Sequence, residues 1–146
     1  MPELPTPSLQ LGDAPASNVE LYALQLDNFT TFEQLELQFS PRINVFIGEN
    51  GTGKTHVLKL LYSVLKAAEE VKLDAENKGL GIEPNRVGST LEQKLTGVFR
   101  PERLGRLVHR SRGRTESQVL LKLTNKNQLK FKFGSQVKTE QIRVSK

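Results

Sequence analysis

Five residues in the run RINVFIGENGTGKTHVLKLLYS have types and spacing that suit chemistry: Gly48, Gly51, Gly53, Lys54 and Thr55. They satisfy G-x-x-x-x-G-K-[ST], the spelling of a loop that cradles phosphate. Glycines let the backbone turn tightly and bring successive N–H groups close to one anion. A helix starting directly after the loop adds unpaired N–H groups and the positive end of its dipole. Lys54 supplies a flexible point charge for the β- and γ-phosphates. The Thr55 hydroxyl is placed to ligate Mg2+, which takes oxygen ligands and is readily shared with phosphate. The expected nucleotide site therefore runs through Gly48, Glu49, Asn50, Gly51, Thr52, Gly53, Lys54, Thr55 and His56, with ATP and Mg2+ as cofactors. Lys54 is the candidate catalytic residue and Thr55 the candidate metal ligand. Glu49 is a carboxylate in the loop, but the variable positions of such a loop point away from the γ-phosphate, so it reads poorly as a base.

Such a loop needs a strand before it and a helix after it. Val45-Phe46-Ile47 predicts a buried strand, and Val57, Leu58, Leu61, Leu65 and Ala68 predict one apolar face of a helix from about Gly53 to Leu73. That helix is expected to fray through the polar stretch from Asp74 to Gly81. Upstream, Leu24 and Leu26 alternate with Gln25 and Asp27, and Leu35, Leu37 and Phe39 alternate with Gln34, Glu36 and Gln38. Two half-buried strands joined through Asn28–Phe32 follow, the second ended by Pro41. Downstream, Ser89-Thr90-Leu91-Glu92 spells a capping box that would open a second helix with Leu91, Leu95 and Val98 on one side. Pro101 suits the first position of a further short helix holding Leu104, Leu107 and Val108. Val119, Leu121 and Leu123 face Leu129, Phe131 and Phe133 across a hairpin turned at Asn125–Asn127, with Lys122, Lys130 and Lys132 on the solvated side. Ile142 and Val144 carry weak strand character.

The bulk properties set limits. The chain has 146 residues, enough for one domain with a core and too few for two large ones. Residues 1–18 hold Pro2, Pro5, Pro7 and Pro15 with few apolar side chains and read as a disordered leader; 19–146 read as the folded portion. There are no cysteines, which removes disulfides, thiolate metal sites and cysteine nucleophiles. No apolar run approaches the length of a membrane span and no secretory signal is present, which fits a cytoplasmic protein without membrane contact. A net charge of +5 favours an anionic partner, a requirement the nucleotide alone would meet.

The run LQLDNFTTFEQLELQFSPRINVFIGENGTGKTHVLKLLYSVL resembles the N-terminal segment of SMC, RecF and OLD-type ATPases, ABC-like proteins often grouped as AAA-family ATPases. The match rests on Asn28-Phe29, on Leu35 to Phe39, and on Gly48 to Thr55 with its Asn50-Gly51 pair, within residues 21–65. The resemblance implies an α/β P-loop NTPase head with a mixed sheet and an antiparallel β-subdomain beside the nucleotide, and it places Asn50 near the γ-phosphate. Many relatives carry Lys or Arg just after Asn-Phe, where this chain has Thr30. Downstream of Thr55 there is no apolar strand ending in Asp-Glu (the Walker B element), no LSGGQ-like signature and no switch histidine. Phosphoryl transfer to water needs the metal held from both sides and a residue that orients the attacking water. The chain therefore reads as the Walker A-bearing N-terminal portion of a larger ATPase, with a second ATPase half or a homodimer partner completing the site.

Other clusters compete with that reading. Arg100, Arg103, Arg106, Arg110, Arg112 and Arg114 form a basic stretch that would suit DNA phosphates, or equally a solvated helix face and loop. A nucleic-acid module with a vestigial P-loop is thus the alternative function, and a remnant unable to fold alone is a third. His56 is expected to face solvent or the β-subdomain and His109 to lie on the surface; two isolated histidines do not make a metal site.

Overall fold

In the computed structural model, which describes residues 20–110, 112–113, 116–136 and 141–145, one antiparallel sheet carries two helices. The expected leader at 1–18 lies outside the described residues, as does 137–140. Strand β1 (Leu21–Phe29) pairs with β2 (Phe32–Gln38) through the two-residue link Thr30-Thr31. Strands β3 (Glu116–Leu123) and β4 (Gln128–Gly134) form the second hairpin, and the short β5 (Arg143–Ser145) closes the far edge. The order is β2-β1-β3-β4-β5, and every pairing is antiparallel. The parallel component of the expected mixed sheet is not formed among the described residues.

Period-two patterning sets the register. Leu35, Leu26, Val119, Phe131 and Val144 lie opposite one another across all five strands, and Leu37, Leu24, Leu121 and Leu129 across four. A one-residue slip would turn each of these rows to the polar face, so burial fixes the alignment. The other face carries Gln25 Nε2 donating to Glu36 Oε1 at 3.1 Å, and Lys132 paired with Glu116 at 3.0 Å.

Helix α1 (Lys54–Lys78) is longer than the periodicity predicts. It continues through Asp74 because nothing breaks it before Gly79, whose left-handed backbone (φ 62°) closes the last turn. Its buried face is Val57, Leu60, Val64, Ala67, Val71 and Ala75, whereas Leu58, Leu65 and Ala68 of the predicted face are exposed. The buried face is turned about a quarter of the way round the helix from the predicted one, at roughly 100° per residue, and Leu61 lies between them, partly buried. Helix α2 (Pro84–Phe99) opens at Pro84, not at the Ser89 capping spelling. Proline needs no N–H bond in the first turn, and Ser89 sits inside the helix with its hydroxyl on Arg86 O at 3.0 Å. Ion pairs Arg86–Asp74 and Lys94–Glu70 tie α2 to α1. Gly88 lets α2 come close to Ile142, since a Cβ there would lie 2.7 Å from the Ile142 carbonyl oxygen. A 3-10 turn (Leu104–Leu107) follows, beginning three residues after Pro101, and buries Leu104 and Leu107.

Phe29 joins sheet and helices by edge-on contacts with Phe99 of α2 and Phe133 of β4, at 5.7 and 6.5 Å between centroids. The buried strand predicted at Val45-Phe46-Ile47 is not formed. These residues belong to no ladder, and Ile43, Val45 and Ile47 are 79%, 74% and 91% exposed. Only Phe46 turns inward, near Phe39. An apolar strand of this kind is buried by parallel neighbours on both sides, and the described residues contain none.

Candidate functional site

The loop from Gly48 to Gly53 is set by two left-handed glycines. Gly51 has φ 84° and Gly53, the residue before α1, has φ 91°. Gly53 is also crowded, because a Cβ there would lie 2.4 Å from Phe32 Cζ and 2.6 Å from Thr31 Oγ1. Only glycine meets both the backbone angle and the contact with the β1–β2 turn. Thr52 Oγ1 donates to Glu49 O at 2.9 Å and holds the loop from inside.

At the mouth of α1 the first helical bond runs from Val57 N to Gly53 O at 3.1 Å. The N–H groups of Lys54, Thr55 and His56 thus stand outside the helical ladder, at the positive end of the dipole. No acidic side chain lies in that first turn. The Lys54 ammonium donates to Gly48 O at 2.7 Å, Glu49 O at 2.5 Å and Thr52 Oγ1 at 3.3 Å. Its partners are carbonyls and a hydroxyl, not a carboxylate, so its charge is not neutralised within the loop. Thr55 is exposed on the first turn. A cavity of about 200 Å³ lies against Asn50, Gly51, Gly53, Lys54, Thr55 and His56. Free N–H groups, a cation and an exposed hydroxyl converging on one hollow fit phosphate oxygens with a divalent cation shared between them. Gly48, Glu49 and Thr52 shape the loop and do not line the hollow.

His56, expected to face solvent or the β-subdomain, is half-buried and lines a cavity together with Thr30 and Thr31 of the β1–β2 turn. Its ring lies 6.0 Å from that of Phe99 on α2, and its Nδ1 is buried without a partner. His109 is half-buried rather than on the surface. Its Nδ1 is 2.9 Å from Thr30 O, and its backbone N–H donates to Asn28 O at 2.8 Å. Thr30 N–H in turn donates to Leu107 O at 2.7 Å, so the segment after α2 is pinned to the β1–β2 turn beside the P-loop. Sequence reasoning missed this junction: Thr31 and Phe32 press on Gly53, and Phe99 and His109 stand beside His56. Of the arginine stretch, Arg100, Arg103, Arg106, Arg110 and Arg112 are exposed, Arg106 is paired with Glu102 at 3.0 Å, and Arg114 lies outside the described residues. Among the described residues no group of His, Asp and Glu could hold a metal by itself, and no helix is long and apolar enough to cross a membrane.

A glycine-rich loop ending in Gly-Lys-Thr at the start of a helix, packed on an antiparallel sheet, defines a P-loop nucleoside-triphosphatase domain. Residues 20–144 match the AAA ATPase domain, and the chain belongs to that family. Its curated relatives place it with the RecF/SMC type. The DNA replication and repair protein RecF of Lactococcus lactis subsp. lactis (strain IL1403) is 41% identical over 44 residues, which is 30% of this chain and 12% of the relative. RecF of Listeria welshimeri serovar 6b is 51% identical over 41 residues, 28% of this chain and 11% of the relative. RecF of Lysinibacillus sphaericus (strain C3-41) is 48% identical over 44 residues, 30% of this chain and 12% of the relative. The matched stretch is thus a small part of each relative's length.

Proposed function

We propose that this chain binds ATP with Mg2+ through residues Gly48 to His56 and serves as the Walker A half-site of a RecF/SMC-type ATPase. The observation that carries the reading is the mouth of α1. Three N–H groups outside the helical ladder, the Lys54 ammonium and the exposed Thr55 hydroxyl meet at one hollow shaped by left-handed Gly51 and Gly53. Backbone N–H groups would hold the phosphates, Lys54 would neutralise them, and Thr55 would take the metal, which supplies charge neutralisation between phosphate oxygens. Among the described residues no carboxylate lines the hollow, so hydrolysis is assigned to an assembly with a second ATPase half or a partner copy. Exposed Ile43, Val45 and Ile47 support that assignment, since an apolar segment left bare is suited to being covered. DNA-linked work is the task suggested by the names of the relatives.

Titration of the chain with Mg-ATP tests the reading. Lys54→Ala should weaken binding at least about a hundredfold, the loss of a charge-assisted contact to phosphate together with the loop geometry it holds. Unchanged affinity in that variant sinks the assignment. One observation favours a second reading: Arg103, Arg106, His109, Arg110 and Arg112 surround a cavity of about 500 Å³. Binding of duplex DNA that weakens steeply with salt, ignores ATP and survives Lys54→Ala would favour the nucleic-acid module.

A further inference from the structure

Asn28 (φ 52°) and Thr30 (φ 49°), on either side of Phe29, lie in the left-handed region. Asparagine visits that region readily, but a β-branched threonine there is an outlier. Two-residue hairpin links normally put glycine, asparagine or aspartate where φ is positive. A strained residue of this kind persists only where its surroundings over-determine it.

Those surroundings are the segment Leu107–His109, which lies across the turn as a strap. Thr30 N–H donates to Leu107 O at 2.7 Å, and His109 N–H donates to Asn28 O at 2.8 Å. Phe29 and Val108 form a β-bridge beside these bonds. The His109 ring adds a third bond, its Nδ1 lying 2.9 Å from Thr30 O. A carbonyl can only accept, so Nδ1 carries the proton and donates. The strap thereby engages the carbonyls of both left-handed residues and the N–H of Thr30.

The other side of the turn meets the P-loop. A Cβ on Gly53 would lie 2.6 Å from Thr31 Oγ1 and 2.4 Å from Phe32 Cζ. Gly53 has the left-handed backbone that starts α1, and its carbonyl accepts from Val57 N–H. A shift of the turn is therefore a shift of the loop that aims the N–H groups of Lys54, Thr55 and His56. None of Leu107, Val108 and His109 lines the hollow at those groups.

We infer that His109 is a positioning residue for the phosphate site: through its bond to Thr30 it holds the strained β1–β2 turn in the shape that seats Gly53. This inference rests on the reading that the P-loop binds ATP. Without the bond, the turn relaxes out of the left-handed region and the loop reaches its binding shape in only a fraction of molecules. Apparent affinity falls by that fraction.

The test is calorimetric titration of the intact chain with Mg-ATP and with magnesium tripolyphosphate, which has the phosphates and no nucleoside, beside urea unfolding of each variant. His109→Ala should weaken both ligands by the same factor, about tenfold, the order of the equilibrium cost of one strained left-handed residue. His109→Gln, which keeps the bulk but carries its amide nearer the Nε2 place, serves the same comparison with less loss of packing. His109→Asn keeps an N–H donor near the place of Nδ1 and should stay within about twofold of wild type. Thr30→Gly removes the left-handed penalty, so in the His109→Ala background it should recover most of the lost affinity. A bond that serves stability alone would lower the urea midpoint and leave both affinities of the folded chain unchanged, which overturns the inference and leaves the P-loop reading intact. A loss confined to Mg-ATP, or one that Thr30→Gly does not relieve, overturns it equally. If wild type binds neither ligand, both readings fall.

Discussion

Replacing Gly53 by alanine puts a methyl group 2.4 Å from Phe32 Cζ and 2.6 Å from Thr31 Oγ1, on a backbone with φ 91°. The left-handed conformation alone costs a residue with a Cβ about 1–2 kcal/mol. Forcing the half-buried Phe32 ring aside adds about 1–3 kcal/mol, the usual cost of overpacking. Gly51→Ala is the matched control, since its φ is 84° and no atom lies within 4 Å of the added Cβ. It should show only the backbone cost of about 1–2 kcal/mol. Urea unfolding of both variants, compared at equal m-value, reads the difference. Gly53→Ala should be the less stable by at least about 1 kcal/mol, and Phe32→Ala in the same chain should relieve that excess in a double-mutant cycle. Equal destabilisation by the two alanines, or no coupling to Phe32, refutes the claim that the P-loop is seated on the β1–β2 turn.

Two further expectations concern the apolar surfaces. Leu60 is fully buried and Leu65 is 67% exposed, so Leu60→Ala should cost about 2–5 kcal/mol in the same assay. Leu65→Ala should stay within about 0.5 kcal/mol, and a reversal of that order would mean that α1 sits with its other face inward. Ile47→Lys places a charge at a position 91% exposed and should likewise shift stability by no more than about 0.5 kcal/mol. A loss of several kcal/mol would show that 43–47 is paired in solution.

What the sequence made legible were the features with a short period or a fixed spelling. The alternation at Leu24 and Leu26, at Leu35 and Leu37, and at Val119 to Phe133 defines strands because burial on one face admits a single register. The loop from Gly48 to Thr55 is legible because its spelling is fixed, by left-handed backbone at Gly51 and by both backbone and neighbours at Gly53. The face of α1 is not. Val57, Leu60 and Val64 and Leu58, Leu61 and Leu65 both fit a 3.6-residue period, and only the sheet and α2 decide between them. Ser89 spells a cap that Pro84 pre-empts, since a helix already under way leaves no free N–H groups for Ser89 to satisfy. The contact of His109 with Thr30 spans 79 positions and carries no local signal.

The bare segment at Ile43–Ile47 precedes the glycine loop, and the outward stripe Leu58, Tyr62, Leu65 and Leu73 runs along the helix that follows it. Their placement separates two requirements of an ATPase. The glycines, the helix mouth, Lys54 and the Phe32 contact are all supplied within a short span of chain and its neighbouring turn, so phosphate binding can be built here alone. Water activation needs a carboxylate fixed against the loop. The segment 43–47, which joins no ladder, is left exposed beside the loop. On the proposed reading hydrolysis would wait for a second ATPase half, while ATP binding and its dependence on Lys54 would be measurable in the single chain.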